Sequence, residues 1–176
     1  MAENAVADAI SKFGAGIKPK FAKIVEGAPE DQLRGPLDTL IRDLADAAGL
    51  PAGSVHLVGE TTLSDIKTRP DFAVTVSKAL VGFIEVKAPG KGADPRKFSD
   101  PHDKDQWVKL KSLPNLLYTD GNAFSLWRDG KLESEIVRLD GDVETSGTKL
   151  TAPTTLLRWT TPIFVSLTAR SCTAFR

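Results

Sequence analysis

The chain has 176 residues, 41% of them hydrophobic and 26% charged, and its 23 basic and 23 acidic side chains leave no formal net charge. This length suits about one domain with a real core, and the charge balance argues against binding nucleic acid through bulk positive charge while leaving room for a local basic groove. The longest apolar run, near 79–84, is too short to span a membrane. The acidic N-terminus does not fit a signal peptide and Cys172 has no internal disulfide partner, so we expect a soluble cytoplasmic protein.

Two amphipathic helices are predicted in the first third of the chain. Apolar residues recur at helical spacing over 2–15, and Gly14 and Gly16 are expected to end that helix. A second apolar stripe follows over 33–48, and Pro36 within it is expected to kink or break the helix.

From residue 55 onward the apolar period changes to two, which predicts β-strands at 55–58, 71–76 and 81–87. Residues Ser77–Leu80 are expected to form the turn between the second and third strands.

A third helix should begin at Pro101 with Asp100 as its cap. The pieces NLLYT, AFSLWR and KLESEIVRL, separated by two Asp-Gly pairs, then predict three further strands. This order indicates an α/β fold with a mixed sheet. Residues 1–140 would form the domain, 141–153 a polar linker and 154–176 an atypical tail, poorly ordered or truncated.

Three short matches to the pattern acid-x-Lys begin at Asp65, Glu85 and Asp129, so the pattern alone is weak. Asp65 lies in a predicted loop and Asp129 in a hairpin turn, whereas Glu85 ends an apolar strand, ALVGFIEVK. Residues two apart in a strand share a face, so the side chains of Glu85 and Lys87 should point the same way. Ile84 and Val86 should point the other way, into the core.

The predicted hairpin places Asp71 roughly opposite Lys87, so Asp71, Glu85 and Lys87 should meet at one end of the hairpin. Two carboxylates and an ammonium group suit Mg²⁺ and phosphodiester hydrolysis. A strand-end salt bridge remains the open alternative.

The sequence RPDFAV followed by GFIEVKAPGKG resembles the PD-(D/E)XK nuclease motif, with the acid of the second part 14 positions after Asp71. PEDQLRGPLDTLI, with Glu30 and Arg34, resembles the acidic helix that precedes this motif, and Gln106 stands where many of these domains carry a glutamine. LPNLLYTDGNAFSLWRDGKL resembles the hairpin of the nuclease part of type I-like and type IIG restriction–modification polypeptides. The resemblance covers roughly residues 15–140.

The resemblance implies a restriction-endonuclease-like fold, a central mixed β-sheet flanked by helices. It implies that Asp71 and Glu85 hold Mg²⁺, or Mn²⁺ in its place, with the Val86 carbonyl as a further ligand. Lys87 would position the attacking water.

Two further roles follow from the same resemblance. Glu30 would contact a water of the metal or a second metal, and Gln106 would orient Lys87 or a phosphate. No NPPY-type methyltransferase motif and no nucleotide-binding loop is present, so we expect that this chain is the nuclease part alone and that a methyltransferase or specificity domain is missing from it.

A basic stretch follows the motif and provides either a grip on DNA phosphates or an ordinary solvated face. Its members are Lys87, Lys91, Arg96, Lys97, Lys104, Lys109 and Lys111. The sequence thus predicts a Mg²⁺-dependent DNA endonuclease domain of a restriction system. The alternatives are a catalytically inactive PD-(D/E)XK module that binds DNA or a protein partner, a nuclease acting on RNA, and a structural domain.

Overall fold

The computed structural model describes residues 2–23, 27–59 and 68–153. In these ranges three helices and a seven-stranded mixed sheet form the expected α/β fold, consistent with a restriction-endonuclease-like architecture. The helices are α1 (Ala2–Phe21), α2 (Pro29–Ala47) and α3 (Pro101–Leu110). The strands are β1 (Val55–Gly59), β2 (Phe72–Val76), β3 (Ala79–Val86), β4 (Leu116–Thr119), β5 (Ala123–Arg128), β6 (Lys131–Leu132) and β7 (Val137–Arg138). None of the described helices is both long and apolar enough to cross a membrane.

The sheet runs in the order β1-β2-β3-β4-β5-β6, with β7 also paired to β5. Strands β3 and β4 are parallel and are connected through α3, while the other pairs are antiparallel. The carboxyl ends of β3 and β4 therefore lie at the same edge of the sheet, where ligands bind in open α/β sheets. At this edge the Lys87 N–H donates to the Thr119 carbonyl at 2.8 Å.

Two hydrophobic layers cover the two faces of the sheet. Helices α1 and α2 pack on one face, against Ile84 and Val86 among others, and α3 packs on the other, against Phe83 and Tyr118. Because side chains alternate along a strand, Glu85 lies on the α3 face, and its neighbours Ile84 and Val86 point into the other layer, as predicted.

Helix α1 does not end at its glycines, contrary to the prediction, but continues through Gly14 and Gly16 to Phe21. Gly14 is required by packing: a Cβ there would lie 2.3 Å from the carbonyl oxygen of Gly147. The predicted break at Pro36 is also absent, because α2 continues through this residue.

The β2–β3 turn is shorter than predicted. Ser77 and Lys78 have φ angles of 49° and 71°, the conformation of a two-residue type I′ hairpin turn. Strand β3 consequently begins at Ala79, and the prediction that the turn extends to Leu80 is wrong.

The shorter turn and an irregularity in the β2–β3 pairing change the register of the hairpin. Phe72 pairs with Ile84, so the same register places Asp71 beside Glu85. The prediction that Asp71 lies roughly opposite Lys87 is therefore wrong by two positions along β3, because Asp71 instead lies opposite Glu85.

The start of α3 is confirmed. Asp100 caps the helix, since its Oδ1 accepts hydrogen bonds from the backbone N–H groups of His102 at 2.9 Å and Asp103 at 3.2 Å. The last predicted strand divides into β6 and β7.

Residues 141–153, predicted as a polar linker, contribute to the core. Val143 and Leu150 are fully buried against the α1–α2 layer, and Asp140 forms a β-bridge with Thr151. Residues 154–176 lie outside the described residues, so the predicted division into domain, linker and tail remains a prediction.

Candidate active site

Asp71 is held at the entrance of β2 by two groups. Its Oδ2 accepts a hydrogen bond from the Val86 N–H at 2.7 Å, and its Oδ1 lies 2.5 Å from Nη2 of Arg34 in α2. Burial raises the pKa of Asp71 even though the Val86 N–H and Arg34 both favour the charged carboxylate. Arg34 thus connects helix α2 to the site at the start of β2.

Glu85 lies at the centre of the site and is almost fully buried, with 3% of its surface exposed. Its Oε1 accepts from Lys87 Nζ at 3.0 Å, whereas its buried Oε2 has no hydrogen-bond partner. Burial, together with the negative charge of Asp71, raises the pKa of Glu85 to about 7. The two buried carboxylates repel each other, so a positive charge bound between them would stabilise their charged forms.

Lys87 is surrounded by three acceptors. Its Nζ lies 3.0 Å from Glu85 Oε1, 2.5 Å from Gln106 Oε1 and 2.9 Å from Asp103 Oδ1. Burial by itself disfavours the ammonium, but Glu85 and Asp103 outweigh that effect and raise the pKa of Lys87. The lysine is therefore charged and firmly positioned.

Three oxygen donors at the site could bind a hard cation such as Mg²⁺: the carboxylates of Asp71 and Glu85 and the carbonyl of Val86. Glu85 Oε2 is a buried carboxylate oxygen without a hydrogen-bond partner, and Asp71 lies beside Glu85 in the β2–β3 register. The N–H and C=O of one strand residue point to the same side, so the Val86 carbonyl faces the side on which its N–H meets Asp71. Within the described ranges no group of three or more His, Cys, Asp or Glu residues could hold a metal ion. Two carboxylates and a carbonyl match Mg²⁺, which keeps several water ligands.

Glu30 is near enough to affect Asp71 without completing a three-carboxylate group. It lies in the first turn of α2, and its negative charge contributes to the raised pKa of Asp71. The structure therefore places Glu30 beside the site and Gln106 within it.

Sequence reasoning missed two residues of the site, Asp103 and Tyr118. Asp103 precedes Gln106 by three positions, which puts both on one face of α3, and this spacing could have identified it. Tyr118 pairs with Glu85 in the β3–β4 register; its hydroxyl is buried without a hydrogen-bond partner, and burial with the nearby carboxylates raises its pKa.

The acid-x-Lys match at Asp129 does not join the site. Asp129 lies in the turn between β5 and β6 with a φ angle of 49°, and Asp65 lies outside the described residues. His56 and His102 likewise belong to no metal-binding group in the part of the chain that the structure describes.

The predicted basic surface is partly neutralised. Lys91, Arg96 and Lys109 each form an ion pair with a nearby aspartate. Trp107 and Trp127 pack edge to face with ring centroids 4.9 Å apart, and both belong to the hydrophobic layer between α3 and the sheet.

Comparison with known proteins supports the fold. A DrdV–DNA complex solved by cryo-electron microscopy superposes with a TM-score of 0.54 over 92% of this chain, at 17% sequence identity. This chain spans 14% of the length of that neighbour, and at this identity the likeness shows the fold alone. No protein-family profile and no curated protein matches the chain.

Proposed function

We propose that the chain is a Mg²⁺-dependent DNA endonuclease domain of a restriction system. The observation that carries this proposal is the convergence of Asp71, Glu85 and Lys87 at the carboxyl edge of the sheet, with the buried Glu85 Oε2 left without a partner. A salt bridge that served only stability would satisfy its buried oxygens.

Each residue has a distinct part in the proposed reaction. A bound Mg²⁺ would neutralise charge on the scissile phosphate and on its bound water, and Asp71, Glu85 and the Val86 carbonyl would hold it. Lys87 would donate a hydrogen bond to the attacking water, whose oxygen bonds to phosphorus as one P–O ester bond breaks. The proton of the water would pass to solvent, and the leaving oxygen would take a proton from a second water. Gln106 keeps the Lys87 ammonium in place, at 2.5 Å.

DNA is the proposed substrate because the neighbour of similar fold is described as a DNA complex and because the motif resembles that of restriction nucleases. The resemblance of the motif to the nuclease part of restriction–modification polypeptides is the ground for proposing that a methyltransferase or specificity domain acts with this chain. That domain would supply sequence recognition.

One observation favours the second candidate, an inactive module that binds DNA. A lysine ammonium has three N–H donors, and Lys87 has three acceptors around it: Glu85, Gln106 and Asp103. In this arrangement no donor remains for a water, so cleavage requires one of these contacts to be released.

Nicking of supercoiled plasmid in millimolar Mg²⁺ tests the proposal. Wild type should nick DNA, whereas Lys87→Ala and Asp71→Asn should not. Asp129→Asn is the matched control: it alters another acid-x-Lys match, and asparagine tolerates the left-handed φ of 49° at this position. DNA binding without nicking by folded wild type, with any partner domain restored, would establish the inactive module. Cleavage of RNA but not DNA would overturn the substrate assignment.

A further inference from the structure

Asp103 is a buried carboxylate that the proposed reaction does not yet use. It lies in the first turn of α3 with 4% of its surface exposed. Its Oδ1 is 2.9 Å from Lys87 Nζ, and its Oδ2 forms an ion pair with Lys91. A carboxylate this deeply buried is found almost only where it is paired, so its position is defined by these two ammonium groups.

The backbone fixes Asp103 independently of the lysines. Its N–H donates to the Asp100 cap, and a negative charge is favoured in the first turn of a helix. Asp103 therefore presents its carboxylate from a rigid helix start, whereas Lys91 reaches it from the loop after β3, with 39% of its side chain exposed.

Glu85 and Asp103 are the two anions in contact with Lys87, and they differ in what else they face. Glu85 contacts Lys87 through Oε1 and also interacts with Gln106, and its Oε2 would bind the cation. Asp103 uses both oxygens for lysines. A shift of Glu85 toward a cation would weaken its contact with Lys87, and the charge of Asp103 would then retain the ammonium.

We infer that Asp103 is a positioning residue, which anchors Lys87 while Glu85 turns to a cation and so frees one Lys87 donor for the attacking water. The inference rests on the proposed function of the site. The same inference explains how Lys87, whose three N–H donors all have acceptors, could donate to a water. The contact to Glu85 would be released, and the contacts to Asp103 and Gln106 would remain.

The first test is thermal melting, which does not depend on activity. Asp103→Asn removes the charge but keeps an acceptor oxygen and the shape of the side chain. It should lower the melting temperature in the wild-type background and lower it much less in a Lys87→Met background, since the two residues act on each other. Asp105→Asn, which removes an exposed ion pair with Lys109 on the same helix, should cause the same small shift in both backgrounds. Equal shifts for Asp103→Asn in both backgrounds would overturn the anchoring of Lys87.

The second test is kinetic. Asp103→Asn should lower kcat for DNA cleavage by about 10–100-fold, the usual effect of losing a residue that supports a reacting group, while KM and the Mg²⁺-induced rise in melting temperature stay near wild type. Asp103→Glu should recover part of kcat because it restores the charge. A wild-type kcat in Asp103→Asn would refute the positioning role. If wild type with any partner domain restored does not cleave, the proposed function fails, and the melting experiment still decides whether Asp103 anchors Lys87.

Discussion

Replacing Glu85 with glutamine should stabilise the metal-free protein at alkaline pH. The amide has nearly the shape of the protonated carboxylic acid and keeps an acceptor for Lys87, now at 3.0 Å from Glu85 Oε1. It removes a buried negative charge that faces Asp71. We therefore expect Glu85→Gln to melt at a higher temperature than wild type at pH 8 in the presence of a chelator.

The magnitude follows from the pKa of Glu85, which rises from 4.5 to about 7 in the folded state. A carboxyl with a raised pKa stabilises the fold fully below pH 4.5, and this contribution is lost as the pH rises through 7, because the folded state holds the proton more tightly than the unfolded chain. The difference of about 2.5 pKa units corresponds to about 3 kcal/mol at 1.36 kcal/mol per unit. For a domain of this size that is a shift of about 6–12 °C.

The assay is thermal melting of wild type and Glu85→Gln from pH 5 to pH 8, with and without Mg²⁺. The two proteins should melt alike near pH 5 and diverge as the pH rises, and Mg²⁺ should stabilise only wild type. Glu144→Gln, in the loop after β7, should follow wild type throughout. If Glu85→Gln melts at or below the wild-type temperature at pH 8 in chelator, the negative charge of Glu85 does not destabilise the metal-free fold.

Further predictions concern metal binding, Lys87 and the packing of the helix glycines, with Gly35 in α2 as the control for Gly14 in α1. Mg²⁺ or Mn²⁺ at 100 times its dissociation constant should stabilise wild type by about 2.7 kcal/mol, and Asp71→Asn should lose most of this shift in a melting experiment. Lys87→Ala should abolish cleavage but still bind Mn²⁺ in a calorimetric titration, since an ammonium is not a metal ligand; loss of both would mean that the lysine holds the site together. Gly14→Ala should destabilise the fold by about 1–3 kcal/mol in chemical unfolding, because its Cβ would lie 2.3 Å from the Gly147 oxygen. Gly35→Ala, where no atom lies within 4 Å of a new Cβ, should instead stabilise α2 by about 0.4–1 kcal/mol.

Local patterns predicted most of the elements correctly. The Asp100 cap and the start of α3 follow from interactions within a few residues, and such interactions are visible in the sequence. The alternation of side chains along β3 is equally local, and it separates Glu85 from Ile84 and Val86. The turn at Ser77 was predicted too long because neither central residue is a glycine, although both adopt positive φ.

The role of the glycines of α1, in contrast, cannot be predicted from a local pattern. Gly14 looks like a helix end because glycine is a poor helix former, but its role is to let residues near Gly147 approach. That contact joins positions more than 100 residues apart, so no local pattern reveals it.

The sequence by itself determined the candidate site residues, because strand periodicity puts Glu85 and Lys87 on one face and the resemblance to a nuclease motif pairs them with Asp71. Only the tertiary structure decided how they are arranged. The register of β2 on β3 brings Asp71 beside Glu85, and the packing of α3 on the sheet surrounds Lys87 with Gln106 and Asp103. The physical reason is that burial and charge pairing depend on contacts between elements that are distant in the sequence. These contacts raise the pKa of Glu85 and leave its buried Oε2 without a hydrogen-bond partner.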